Sequence, residues 1–189
     1  MKVAITGHTG GIGQGLYNYF QERGYQVGGF SEDNGFLLPD AESQILEQIE
    51  DCDIFVNNAL PVTSQINLLT QLWPKWKDAD KKIIVLGSMI SQMEDVLPNM
   101  EDVLPNAQTY QQQKQELDRL CKHLQYEGEW DQPVRCSLMV LHPGFVATTL
   151  IRDFGIPANM CMSVAQVVSV VDYMLNSPLE VDSMVFRKK

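Results

Sequence analysis

A tyrosine four positions before a lysine, Tyr110 and Lys114 in the stretch TYQQQK, is a spacing with a chemical use. On a helix, residues i and i+4 share one face. An ammonium held there favours the phenolate and draws the tyrosine pKa down from its usual value of about 10. A phenol tuned in this way can give a proton to a carbonyl oxygen or take one from an alcohol. Of the six tyrosines in the chain, only Tyr110 has a lysine at this distance. The glutamines between them also fit a solvated helix face, with Tyr110 packed at the helix start and Lys114 in water. The surroundings in the chain decide between the two.

A second feature is the run Thr6-Gly7-His8-Thr9-Gly10-Gly11-Ile12-Gly13. It follows a short apolar segment, Lys2–Thr6, and opens a stretch with Leu16, Tyr19 and Phe20 at helical spacing. Glycines between a strand and a helix let the backbone approach a pyrophosphate closely, and the helix start offers unpaired N–H groups to it. A tight turn also wants glycine, so the run gains its meaning from this strand–turn–helix setting.

Such residues need a scaffold, and strand and helix patterns alternate along the chain. Strands are expected at Lys2–Thr6, Tyr25–Phe30, Phe36–Leu38, Asp53–Val56, Lys82–Leu86, Arg135–Leu141 and Met184–Arg187. Helices are expected at Ile12–Arg23, Asp40–Glu50, Ile66–Trp76, about Gln108–Glu127 and Val164–Leu175. Continuous apolar strands between helices indicate a parallel sheet covered on both faces, a doubly wound α/β fold. One oddity is the tandem copy of MEDVLPN at Met93–Asn99 and Met100–Asn106, whose two prolines argue for turns.

In this setting the chain resembles the short-chain dehydrogenase/reductase family. The spacing Gly7-x-x-x-Gly11-x-Gly13, preceded by Thr6, is similar to that family's cofactor turn. Asn57-Asn58-Ala59 after the fourth expected strand is similar to its next signature, with Leu60 where a glycine usually follows. Tyr110-x-x-x-Lys114 is similar to its active-site motif, and Pro143-Gly144-Phe145-Val146-Ala147-Thr148 to its turn after the sixth strand. The motifs stand in the family's order and span essentially the whole chain.

The resemblance implies a Rossmann fold, three-layered, with residues 1–189 as one NAD(P)-binding domain that holds its own active site. It implies NAD or NADP as cofactor and hydride transfer between nicotinamide and a carbonyl or secondary alcohol, with Tyr110 as general acid and base. Lys114 would also bond the nicotinamide ribose. The implied cofactor-binding set is Gly7, His8, Thr9, Gly11, Ile12, Gly13, Ser31, Asn58, Ala59, Tyr110, Lys114, Pro143, Gly144, Val146 and Thr148.

The family also places a serine at the end of the fifth strand. Ser88 ends that strand directly, and Ser91 is its rival one turn on. The gap from Ser88 to Tyr110 is 22 positions, and removing one seven-residue copy of the repeat leaves 15, close to the family's pattern. A fourth catalytic residue, an asparagine on the preceding helix, would be Asn67, which equally fits a surface helix position. The resemblance implies a homodimer or homotetramer, built through helices near Ile66–Trp76 and Gln108–Glu127.

An acidic residue at the end of the second strand would select NAD, and a basic one NADP. Here Ser31 is followed by Glu32 and Asp33, which leans toward NAD and leaves the choice open. Asp40 is a candidate for the adenine or for a helix N-cap. The resemblance implies that the loop Phe145–Met162 closes over nicotinamide and a small-molecule carbonyl or alcohol substrate; its composition suggests a mostly apolar pocket, with Arg152 as an anchor for an acid group.

The bulk composition narrows the partners. The net charge of −10 repels phosphate backbones and anionic membranes, which argues against nucleic-acid and membrane binding. No apolar run approaches bilayer length, and the N-terminus does not read as a signal peptide. Cys52, Cys121, Cys136 and Cys161 lie far apart, without metal-site spacing, so free thiols and a cytoplasmic location are expected. The alternative to an enzyme is a non-catalytic dinucleotide-binding sensor or complex subunit, motivated by the short middle region, Leu60 and the repeat.

Overall fold

The computed structural model describes residues 1–95, 106–127, 134–149, 151 and 156–189. Most of the tandem repeat and Arg152 lie outside the described residues. The strands are β1 (Lys2–Thr6), β2 (Gln26–Phe30), β3 (Ile54–Asn57), β4 (Lys82–Leu86), β5 (Ser137–Pro143) and β6 (Ser183–Phe186). The helices are α1 (Gly11–Glu22), α2 (Glu42–Ile49), α3 (Val62–Trp76), α4 (Ala107–Tyr126) and α5 (Val164–Asn176). The strands form one sheet in the order β2-β1-β3-β4-β5-β6. Every neighbouring pair is parallel.

The apolar strand sequences are what such a sheet requires, because both of its faces are covered. Alternate residues serve opposite faces. Ala4, Phe55, Ile83, Val85, Leu138 and Val140 pack with Ile45, Leu68, Leu72, Trp76, Leu117 and Cys121 of α2, α3 and α4. Val3, Ile5, Ile54, Val56, Ile84, Leu86, Met139 and Leu141 pack with Leu16, Phe20, Val167 and Val171 of α1 and α5. This is the doubly wound Rossmann architecture expected from the alternation of patterns.

The expected strand at Phe36–Leu38 does not form. The segment follows a short 3-10 turn at Glu32–Asn34 that ends on Gly35 in the left-handed region, φ 90°. The Phe36 N–H then donates to the Ser31 carbonyl and the Ala41 N–H to the Leu37 carbonyl, so these backbone groups are satisfied locally. Phe36 and Leu38 still pack against the core, as an apolar cover and not as a strand.

The chain runs from β1 through α1 to β2 on one side, then returns to place β3 on the other side of β1. The crevice outside the carboxyl ends of β1 and β3 is therefore the topological switch point, where open α/β sheets bind ligands. The glycine-rich turn, Asn58–Leu60, Ser88 and Pro143–Gly144 all follow strand ends that open toward it.

Candidate functional site

The glycine turn is built by close approach. Gly7 has φ 70° and Gly11 φ 54°, conformations that side chains resist. A Cβ on Gly13 would stand 2.0 Å from the Gly7 carbonyl oxygen and 2.8 Å from the Asn58 amide nitrogen. α1 can thus start directly against the end of β1. Gly10, its N-cap, makes no side-chain cap bond. A Cβ on Gly10 would meet nothing within 4 Å, so the first turn of α1 is bordered by open space.

The turn is tied to the next strand through Thr6. Its hydroxyl oxygen accepts from the backbone N–H groups of Asn58 at 3.0 Å and Ala59 at 3.1 Å. The Asn58 amide donates back to the Thr6 carbonyl at 2.9 Å. His8 lies over Gly29 of β2. Its ring is tilted on Tyr17 at 5.2 Å, and its Nδ1 is buried without a hydrogen-bond partner. Thr9 is exposed in the turn. Ser31 ends β2, its hydroxyl donating to Asn34 Oδ1 at 3.3 Å in a capping box, while Glu32 and Asp33 are exposed beside it.

At the centre of the sheet stands the tyrosine–lysine pair. Tyr110 is half-buried in the first turn of α4, and the Ser88 side chain lies close enough to its phenol to bear on its ionisation. Of the two serines, Ser88 is the one that shares a cleft with Tyr110. Ser91 turns away, donating to the Ser88 carbonyl at 2.8 Å and facing His142 Nδ1 at 3.4 Å.

Lys114 is buried, with Nζ 5.8 Å from the centre of the Tyr110 ring. Nζ donates to the Leu86 carbonyl and to Gln65 Oε1, each at 2.7 Å. The electrostatics differ from the expectation that the ammonium would draw the phenol down. Burial raises the Tyr110 pKa, against the opposing influence of Ser88, and lowers that of Lys114 to about 7. Desolvation of the charged form is the largest cause of each shift.

Two adjoining clefts meet at Tyr110, and Lys114 lines the first of them. One, about 340 Å³, is lined by Gly10, Gly11, Ile12, Asn58, Leu60, Leu86, Gly87, Tyr110, Lys114, Pro143, Thr148 and Thr149. The other, about 360 Å³, runs past Ser88 and Tyr110 and is walled by Leu60, Met89, Ile90, Met93, Phe145, Val146 and Ile151, with Gly144 also lining it. Among its described lining residues none is charged. Gly7, His8, Gly13, Ala59 and Ser31 shape or flank the approach and do not line either cleft.

Asn67 is the residue the structure moves out of the site. It is exposed on α3, and its amide donates to the Glu42 carboxylate of α2 at 3.2 Å. Two positions shift a helical residue by about 200°, so the face toward Lys114 carries Gln65 instead. Gln65 Nε2 donates to the Asn57 carbonyl at 2.7 Å and the Leu86 carbonyl at 3.2 Å.

A buried polar cluster behind Ser88 also escaped the sequence reading. His142 Nε2 lies 3.4 Å from Asp118 Oδ1. Asp118 Oδ2 accepts from Gln92 at 3.1 Å and pairs with Lys122 at 3.0 Å. Asp118 stands four positions beyond Lys114 and His142 immediately before Pro143, so both were near recognised motifs. Nothing in the spacing linked them across two elements.

No protein-family model matches the chain, and no curated protein matches it in sequence. Solved structures do match in three dimensions. The chain has the fold of short-chain dehydrogenases. A 4-hydroxyisoleucine dehydrogenase complexed with NADH superposes with a TM-score of 0.76 at 17% identity, over 98% of this chain and 96% of that one. A short-chain dehydrogenase from Burkholderia cenocepacia in complex with NADP gives 0.75 at 18%, over 97% and 86%. A 3-ketoacyl-(acyl-carrier-protein) reductase from Brucella melitensis complexed with NADH gives 0.71 at 16%, over 97% and 95%. At these identities the likeness concerns the path of the backbone; the side chains of the crevice must speak for the chemistry.

Proposed function

We propose that this protein is an NAD(P)-dependent oxidoreductase that interconverts a carbonyl and a secondary alcohol. The observation that carries the proposal is the Tyr110 phenol standing where two clefts meet, with Ser88 lining one cleft beside it and the buried Lys114 lining the other. The fold's dehydrogenase likeness and the complexes of those relatives with NADH or NADP support it.

The residues fit a dinucleotide. The uncapped first turn of α1, bare of side chains at Gly10 and Gly11, suits a pyrophosphate. Lys114 and Asn58 line the cleft that would hold the nicotinamide half. Residues 24–40 contain no lysine or arginine to pair with a 2′-phosphate, and Glu32 and Asp33 would repel one, which favours NAD over NADP.

A nicotinamide held in that cleft would supply or accept the hydride. Ser88 and Tyr110 together offer the substrate oxygen a two-donor seat. The neutral phenol, kept protonated by burial, gives its proton to that oxygen as the carbonyl is reduced. In the oxidative direction the phenolate takes the proton from the alcohol. While Lys114 holds its proton, its ammonium stabilises the phenolate. The uncharged, largely aliphatic second cleft suits an apolar carbonyl compound.

The test is spectrophotometric turnover of NADH and NADPH with a panel of apolar ketones and alcohols, comparing the wild type with Tyr110→Phe. A loss of about 10²-fold or more in the variant is expected. Equal turnover by both proteins removes the tyrosine from the mechanism. Calorimetric cofactor binding with no turnover on any panel member overturns the catalytic reading.

A further inference from the structure

We infer that Gln65 is the positioning residue for Lys114: its carboxamide, locked by backbone carbonyls, aims a neutral acceptor at the ammonium and leaves the ammonium's remaining proton to the cleft. The inference rests on the oxidoreductase reading of the site.

The orientation of the carboxamide follows from its neighbours. Nε2 donates to the carbonyls of Asn57 at 2.7 Å and Leu86 at 3.2 Å. Reversing the group would set its oxygen against two carbonyl oxygens and its NH₂ against an ammonium. Oε1 must therefore face Lys114 Nζ, 2.7 Å away. The Gln65 backbone is pinned as well, since Asn57 Nδ2 donates to its carbonyl at 2.8 Å. Gln65 is wholly buried, so water does not compete for these bonds.

The chemistry of the acceptor matters as much as its place. An ammonium has three protons. Two are taken by Gln65 and by the Leu86 carbonyl, and Lys114 lines the cleft shared with Tyr110. A carboxylate at position 65 would form a buried ion pair and hold the charge to itself. The carboxamide orders the lysine without neutralising it, so the charge acts on the phenolate. The titratable groups around Lys114 are Tyr110 and Cys121 on α4 and His142 on β5. Asp118, one turn along α4, is engaged by His142 and Lys122. Among the described residues α3 and β4 present Nζ with neutral acceptors only.

The experiment pairs Gln65→Leu and Gln65→Glu with two readouts. Side-chain NMR of labelled lysine follows the Lys114 titration, assigned by its loss in Lys114→Met. Steady-state kinetics follow kcat and KM for the wild type's best ketone. Gln65→Leu is expected to lower kcat about 10- to 100-fold with KM changed less than about threefold, and to move the Lys114 midpoint down. Gln65→Glu is expected to move the midpoint up by about one pH unit or more. Should Gln65→Leu fail to fold, the Gln65→Glu midpoint decides alone. A folded Gln65→Leu with wild-type kcat, or a Lys114 midpoint unmoved in Gln65→Glu, overturns the inference. A wild type that turns over nothing sinks the oxidoreductase reading instead, while the NMR midpoints still report the Gln65 contact.

Discussion

Asp118 Oδ1 lies 3.4 Å from Nε2 of His142, and this contact joins the middle of α4 to the carboxyl end of β5. Through Gln92 and Ser91 the same cluster reaches the loop that carries Ser88. Three segments that must hold Ser88, Tyr110 and Pro143 in register are thus cross-braced beneath the crevice. Burial lowers the His142 pKa from 6.5, more than the Asp118 carboxylate raises it. The unfolded chain therefore binds the proton more readily than the folded one. His142 contributes stability that is present above pH 6.5 and lost as pH falls below it. Urea unfolding of the wild type and His142→Asn at pH 7 and pH 5 should show the gap between them shrinking at the lower pH. A constant gap contradicts the brace as described.

The two serines make a sharp contrast. Ser88 shares the second cleft with the phenol, whereas Ser91 bonds backbone and faces His142. Ser88→Ala is expected to cost about 10²-fold or more in kcat, and Ser91→Ala about tenfold at most. A reversed order would place the substrate oxygen elsewhere.

Lys114 reports on its own burial. Its pKa of about 7 in the fold lies far below the unfolded value of 10.5. Between these values the unfolded chain holds the proton and the folded one releases it, so stability grows with pH. Relative to Lys114→Met, the wild type should gain about 1.4 kcal/mol per pH unit across that window, with the gain fading toward pH 7. Parallel pH dependence of the two proteins in chemical denaturation would show that Lys114 is hydrated in the fold.

The raised Tyr110 pKa sets a direction for catalysis. A phenol that stays protonated supports carbonyl reduction at neutral pH, and the phenolate needed for alcohol oxidation appears only as pH rises. Alcohol oxidation by the wild type should climb steadily above pH 8 while carbonyl reduction stays level. An oxidation rate already flat at neutral pH would mean that another group takes the proton.

Gly13 tests the turn. A methyl group there would overlap the Gly7 carbonyl at 2.0 Å. Gly13→Ala should destabilise the protein by about 1–3 kcal/mol and weaken NADH binding at least tenfold, measured by thermal melts and calorimetry. Unchanged binding would dissociate the turn from the cofactor.

The sequence by itself determined the fold's wiring and most of the crevice. Among the described residues, five helices and six strands were legible because apolar periodicity and glycine punctuation are local properties, read within a dozen residues. The glycine turn, Ser88, Tyr110 and Lys114 were legible for the same reason, each sitting at a strand end or helix start that the pattern marks. The spurious strand at Phe36–Leu38 shows the limit. Three apolar residues carry no signal of whether their N–H groups find a ladder or a turn, and here the turn at Gly35 took them.

What only the tertiary structure decided is which polar groups meet. Gln65 displaced Asn67 because helix phase is set by how α3 packs on the sheet, and two residues of phase reverse the face. Asp118 and His142 found each other across elements that no spacing connects. The pKa values of Tyr110 and Lys114 were decided there as well, since desolvation depends on the whole of the surrounding packing and a motif records only the pair.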